Sequence, residues 1–507
     1  MAALPVSTRQ LSFAESLKSY PTRNPSETIL YKVVQENLET FLQMTEMDPN
    51  RRGFPEYVRQ EFQEYLQCGI LANGFLRLQC TSCKHERLVA FSCKGRGFCP
   101  SCGGRRMCEL AAFLVDEVIP HVPIRQVVLS FPFPIRFWVA KNPRLQSEIL
   151  TITIRAVSGL LRKKAEEEGL KRKLEYAVVT VIQRFGGSIN LNPHLHMLWV
   201  DGLYDVSGEV AVFHKLPPPT DEEIRVLVET LSHRILKSLK RKGYLVDEEA
   251  DTPQDEDETL LDVQSASVQS LIALGERRGK KVRRIGVIER GNFEGAVLES
   301  ERCASYRGFS LHANVSCQSA EREKLEHMVR YIARPPVAID RLSSRTDGLI
   351  TYRMKKKYRD GTEVLLFSPM ELMEKLAALV PKPRAHITRY HGLFAPHSKN
   401  RKKVVLSEIK KVLEAGSVAK DEKPDAQKRM SWAKLLNRVF KIDVTECQFC
   451  RGEVKVLAAV LERKAIEKIL NHLGLPTEPP TIHPARPPPQ AQFDGFTQIP
   501  NSDFSDS

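Results

Sequence analysis

Seven of the chain's eleven cysteines fall between Cys68 and Cys108, and four of them form two Cys-x2-Cys pairs, Cys80/Cys83 and Cys99/Cys102. A two-residue gap lets both thiolates of a pair leave one turn and share a metal. Two such knuckles fifteen residues apart match a closed tetrahedral site, so a four-cysteine zinc ribbon holding Zn2+ through Cys80, Cys83, Cys99 and Cys102 is expected. Cys68, Cys93 and Cys108 are left over, either for a second site or as small apolar core residues. Cys447-x2-Cys450 supplies half of another ribbon, with no obvious partner pair.

Metal ligands are expected here rather than disulfides, because the chain reads as cytosolic. Met1 to Phe13 is broken by Pro5, Arg9 and Gln10, unlike a signal peptide, and no apolar run approaches a transmembrane length. Lys and Arg number 76 against 62 Asp and Glu, a formal charge of +14, which suits a polyanionic partner. The positives cluster at Arg162 to Lys164, Lys171 to Lys173, Lys237 to Lys242, Arg277 to Arg284, Lys355 to Lys357 and Lys399 to Lys403. More surround the knuckles, at Lys84, His85, Arg87, Lys94, Arg96, Arg105 and Arg106. A single cluster is a solvated face; six beside a zinc module point to phosphate binding.

Periodicity divides the rest. An apolar stripe of Leu30, Val33, Val34, Leu38, Phe41 and Leu42 predicts helix within 26–67, with Ser26 as N-cap. Beyond the zinc module, strands are expected at 126–131, 176–183, 190–200 and 209–213, with a further alternating run from Phe309 to Val315. Helices are expected at 145–168, 221–242 and 320–333, the last halted by Pro335-Pro336. This order predicts an α+β fold with a mainly antiparallel sheet and flanking helices. The expected divisions are a helical segment over 1–67, the zinc module over 68–112 and the α+β domain over 120–345, interrupted by a solvated acidic insertion at 247–262. An accessory DNA-binding region follows over 346–475, then a proline-rich disordered tail over 476–507.

The chemistry gathers in two places. In Asn192-Pro193-His194-Leu195-His196 the histidines alternate with Leu195, so on a strand both face one way, about 6.7 Å apart at Cα. Neutral imidazoles so placed can grip a divalent metal, although two histidines on a solvated face would look the same. Downstream, Leu325, Met328, Val329 and Ile332 form a helix stripe, and Tyr331 lies off it with Lys324, His327 and Arg334. A phenol among cations suits attack on a phosphate.

These residues resemble the bacterial rolling-circle transposases of the HUH class, the insertion-sequence-91 type. The likeness rests on Asn192 to His196 running into Asp201-Gly202, Arg330-Tyr331-Ile332-Ala333-Arg334-Pro335-Pro336, the cysteine module with Ser92-Cys93-Lys94, Tyr390 to His397, and the Cys447 knuckle. It implies a sheet of the HUH endonuclease type and a DNA strand transferase. In such an enzyme His194 and His196 hold Mg2+ or Mn2+ on the scissile phosphate, and Tyr331 attacks it to give a 5′-phosphotyrosine. The implied partners are single-stranded DNA and transposon-end DNA. A third metal ligand is expected; Gln183 is the candidate and His312 the rival, with strand register deciding. Many members carry a second tyrosine one turn before the nucleophile. Here that position is His327, so the chain resembles the single-tyrosine variety, with His327 and Arg334 as accessory residues. A plasmid replication initiator or relaxase would use the same chemistry. The four-cysteine module and the Tyr390 to His397 motif favour the transposase. A non-catalytic zinc-containing DNA-binding protein is the reading of another class.

Overall fold

Residues Ala177 to Gln183 are buried at every position, as a run rich in valine, isoleucine and threonine requires of a strand covered on both faces. The computed structural model describes residues 24–47, 52–170, 174–244, 258–286, 300–358, 360–407, 409, 432–440 and 444–486.

In chain order, the expected N-terminal helix is two, α1 (Ile29–Glu46) and α2 (Glu56–Gln67). The N-cap of α1 is Thr28, not Ser26; its hydroxyl accepts the Tyr31 amide at 3.3 Å. Then come β1 (Phe75–Cys80), β2 (Glu86–Ala90), α3 (Pro100–Phe113), β3 (Ile124–Ser130) and α4 (Pro143–Glu167). β4 (Ala177–Phe185), β5 (Leu191–Val200) and α5 (Asp221–Arg241) follow, then β6 (Cys303–Tyr306), β7 (Phe309–His312) and α6 (Arg322–Ile332). α7 (Pro369–Leu379), β8 (Thr388–Gly392), α8 (Trp432–Phe440) and β9 (Val454–Val460) complete the elements that bear on the site.

The central sheet has the order β6-β7-β3-β5-β4-β8, with Ser316–Cys317 also paired to β3, and its pairings are antiparallel. This is the α+β architecture expected. On one face Val178, Ile182, Leu195, Met197 and Trp199 pack against α4 and α5. On the other, Val179, Val181, Leu198 and Val200 receive Leu325, Met328, Val329 and Ile332 of α6. Each of those buried side chains contributes about 1.5–3 kcal/mol of transfer free energy, which fixes the rotation of α6 about its own axis. Tyr331 is consequently turned outward and 48% exposed. Gly392 ends β8 at φ +59, where a Cβ would lie 2.0 Å from the Tyr176 carbonyl oxygen, so a side chain there would break the edge.

Several sequence readings need correction. The strand expected at 209–213 lies instead at Val212–Lys215, in a small sheet with Gly202–Asp205 and Leu174–Glu175. Of the acidic stretch 247–262, residues 247–257 lie outside the described residues, but Glu258–Val268 is a helix with Leu260 and Val263 in the core, because its apolar positions outweigh its acids. Of the tail expected over 476–507, residues 487–507 also lie outside. Its beginning is ordered on α1: the Gln35 side chain donates to Thr481 O at 2.7 Å, and the Arg486 amide donates to Thr40 Oγ1 at 3.0 Å. Half of the Arg277 to Arg284 cluster is structural rather than phosphate-facing. Arg277 and Arg283 pair with Glu371, and Arg284 with Asp360, tying a second sheet of Leu342–Ser344, Ile350–Arg353, Val364–Phe367 and Arg283–Ile285 to α7. Lys164 is likewise buried on Glu223, 2.8 Å away. Among the described residues no helix is long and apolar enough to cross a membrane.

Candidate metal and nucleophile site

Strand register decides what surrounds the histidines. β5 pairs on one side with β4, Gln183 opposite His194 and Val181 opposite His196, and on the other with β3, Ser130 opposite His194 and Val128 opposite His196. Residues directly opposite in an antiparallel pair point to the same face, so Gln183 shares the face of both histidines. The register shifts between Gln183 and Phe185, a bulge that falls opposite Asn192-Pro193. Pro193 has no amide to donate, and a bulge is where a strand tolerates that. His312 aligns with Val128 and therefore lies a whole strand beyond His196, about 10 Å at the usual strand spacing.

The imidazole rings stand 4.7 Å apart between centroids at 61°. His194 Nδ1–H donates to Asn192 O at 2.7 Å; a carbonyl can only accept, so the lone pair of this ring sits on Nε2. His196 Nδ1 lies 2.8 Å from the Gln126 side-chain amide, and its Nε2 is buried with no hydrogen-bond partner. With the amide turned so that its oxygen accepts from Nδ1–H, that buried Nε2 also offers a lone pair. Burial pushes the His194 pKa down to about 4, assisted by the Arg334 and Arg136 guanidiniums. Burial, then His194 and Arg334, holds His196 well below the ordinary imidazole value. Both rings are neutral at pH 7, the form that binds metal.

The sheet and α6 meet at Gln183 and Arg334. The Gln183 amide nitrogen donates to Ile332 O at 2.8 Å, pinning the end of α6 to the histidine face. Arg334 stacks its guanidinium 4.4 Å from the centroid of the Tyr331 ring and 5.5 Å from that of Phe185, while donating to Tyr331 O at 2.8 Å. Its charge also acts on both imidazoles. Lys355 Nζ lies 5.1 Å from the Tyr331 ring centroid. His327 is exposed one turn earlier on α6. A cleft of about 660 Å³ opens beside Gln183 and Arg334, walled by α3, β4 and β8, with Arg96, Arg106, Phe113 and Tyr390 on its sides.

Sequence reasoning overlooked Gln126, Arg136 and Lys355 as neighbours of this site. Gln126 carried a signal: two residues before Val128 on a strand, its parity puts a polar side chain on the covered face. Arg136 and Lys355 carried none, because only the folded chain brings them near.

The cysteines do not assemble as their spacing suggested. Cys99 and Cys102 join Cys68 and Cys93, whereas Cys80 and Cys83 join Cys447 and Cys450. In each quartet the four Sγ atoms lie within 4.8 Å of one another. Sγ separations of 3.4 to 3.8 Å match the roughly 3.8 Å edge of a ZnS4 tetrahedron with 2.3 Å bonds, and are far beyond a disulfide bond. The expected quartet of Cys80, Cys83, Cys99 and Cys102 is thus divided between two sites. Spacing shows which cysteines form a knuckle but not which knuckles meet. Cys108 belongs to neither quartet and is buried against Ala112 and Leu435.

Residues 33–131 match a family model described as "Transposase zinc-binding domain", and residues 177–402 match one described as "Putative transposase". The chain belongs to the transposases of the insertion-sequence-91 type. Comparison with curated proteins gave no match, and neither did comparison with solved structures. As a transposase it is a DNA-cleaving, DNA-binding enzyme, and its zinc-binding domain with these cysteine clusters supports Zn2+ as a resident metal.

Proposed function

We propose that the transposase cuts and rejoins single-stranded DNA at its element's ends, with Tyr331 as nucleophile and His194, His196 and Gln183 as the protein ligands of one Mg2+ or Mn2+. The observation that carries this reading is the buried, unpartnered Nε2 of His196, on the same sheet face as His194 and Gln183. With its amide nitrogen engaged by Ile332, Gln183 offers Oε1 as its ligand atom. A hard divalent ion there would neutralise charge on the scissile phosphate and on the departing oxygen.

The side chains supply the rest. Tyr331 Oη loses its proton as it bonds to phosphorus; the P–O3′ bond breaks, and the 3′ oxygen leaves with the electron pair and takes up a proton. The products are a free 3′-OH and a 5′-phosphotyrosine, and rejoining reverses the step without ATP. Arg334 and Lys355 flank the ring and offset negative charge gathering on the phosphate. The cleft beside Gln183 is lined by Arg96, Arg106, Phe113 and Tyr390 as well as by Glu109, Asp116 and Glu117, and a base of an unpaired strand can stack on its aromatics. His327 stands where a second tyrosine would be, which supports a single-nucleophile scheme.

The test is incubation with single-stranded oligonucleotides from the element's ends plus Mn2+, followed by a denaturing gel. Wild type forms a protein-DNA adduct and Tyr331→Phe does not. An adduct in Tyr331→Phe would show that the nucleophile lies elsewhere.

A further inference from the structure

Cys447 and Cys450 lie outside both matched regions. Their knuckle nonetheless mirrors the one at Cys80 and Cys83. Lys84 N–H donates to Cys80 O at 3.2 Å, and Arg451 N–H to Cys447 O at 2.9 Å. Cys80 N–H donates to His85 O at 2.9 Å, and Cys447 N–H to Gly452 O at 2.8 Å. Even the strained residue recurs, with Lys84 at φ +62 and Arg451 at φ +61. Two turns of one geometry, facing each other, present Cys80 Sγ 3.4 Å from Cys450 Sγ and Cys83 Sγ 3.6 Å from Cys447 Sγ.

The surroundings are built for this meeting. β1 pairs along its length with β9 as well as with β2, making one three-stranded sheet from both ends of the chain. The His85 and Phe449 rings touch edge-on at 4.5 Å. A Cβ on Gly452 would lie 2.4 Å from Ser82 Oγ and 3.0 Å from Cys80 Sγ, so only glycine lets the knuckles close.

We propose that Cys80, Cys83, Cys447 and Cys450 hold a second zinc ion, which clasps the C-terminal segment onto the N-terminal ribbon. The clasp has a mechanical consequence. α8 precedes this knuckle, and its Leu435 and Val439 pack against Cys108 and Ala112 of α3. From α8, Arg438 reaches both Asp116 and Glu326, the latter on the tyrosine helix α6. The second zinc therefore secures a brace between the zinc module and α6. The two sites also differ in access: Cys83 and Cys450 are exposed, whereas Cys68, Cys99 and Cys102 are buried.

The experiment measures zinc in the purified full chain by elemental analysis, then follows its release by a mercurial thiol reagent with a colorimetric zinc indicator. Wild type should hold two zinc ions and release them in two phases of equal size, the exposed site first. Peptide mass mapping after the fast phase should find the mercurial bound to Cys80, Cys83, Cys447 and Cys450. The double variant Cys447→Ser/Cys450→Ser should hold one zinc and keep only the slow phase, and limited proteolysis should then free the segment containing α8. One zinc per chain in wild type, released in a single phase, would overturn the proposal. So would a double variant that still holds two. Because wild-type release needs no variant to fold, these outcomes stand apart from the nuclease reading.

Discussion

The amide nitrogen of Gln183 donates to the carbonyl oxygen of Ile332, 2.8 Å away, although Gln183 belongs to the strand beside the histidines and Ile332 ends the helix of Tyr331. One side chain thus sets the distance between the histidine pair and the helix of Tyr331. In Gln183→Ala the Ile332 carbonyl loses this partner, at a cost of about 1–3 kcal/mol, and adduct formation with Mn2+ should fall at least about tenfold. A drop in thermal midpoint with full adduct yield at saturating Mn2+ would leave Gln183 a purely structural role.

His194→Ala should weaken metal-dependent cleavage and leave zinc content unchanged, since no histidine joins either cysteine quartet. Loss of zinc in this variant would show that the metal sites are coupled.

Gln126 contacts Nδ1 of His196, the nitrogen opposite the proposed metal-binding Nε2. Replacing it with leucine keeps the volume and removes the orienting hydrogen bond, which should weaken Mn2+ binding roughly 10–100-fold. Calorimetric titration with Mn2+ checks this; an unchanged affinity would mean that packing alone orients the ring.

Arg438 pairs with Glu326 at 2.7 Å and also engages Asp116, with the Glu326 side chain 13% exposed. Pairs at this depth are worth more than surface ones, so a double-mutant cycle of Arg438→Ala and Glu326→Ala should give a coupling of about 0.5–3 kcal/mol. A coupling near zero would mean that α8 does not brace the tyrosine helix.

Burial, with a smaller push from Arg389, drives the His391 pKa down to about 4. The unfolded imidazole binds its proton near pH 6.5, so between about 6.5 and 4 the unfolded chain holds a proton that the folded chain does not. Stability therefore falls as pH drops through this window. Urea midpoints measured from pH 7 to 5 should decline more steeply in wild type than in His391→Gln, and equal slopes would refute the assignment.

The sheet was legible in the sequence because Ala177 to Gln183 and Leu191 to Val200 carry strong strand signals, and the position of Tyr331 followed from one helical stripe. Gln183 was legible as a neighbour of His194, since a short turn joins their strands. What spacing withheld was long-range pairing. Nothing local to Cys80 distinguishes Cys99 from Cys447 as its companion, and the choice is made by β9 adding to β1. The basic clusters misled for a related reason: Glu371, Glu223 and Asp360 neutralise several of their members from far along the chain. Charge counted along a sequence is not charge left on a surface.

Cys83 and Cys447 are 364 residues apart in the chain, yet they meet at one corner of the molecule. At synthesis rates of about 5–20 residues per second, the first knuckle leaves the ribosome roughly 20–70 s before its companion. During that interval β1 has only β2 beside it, and the helix carrying Tyr331 emerges before the arm that braces it. The ribbon closes last, so the nascent chain carries Tyr331, the proposed nucleophile, before the brace on that helix is in place.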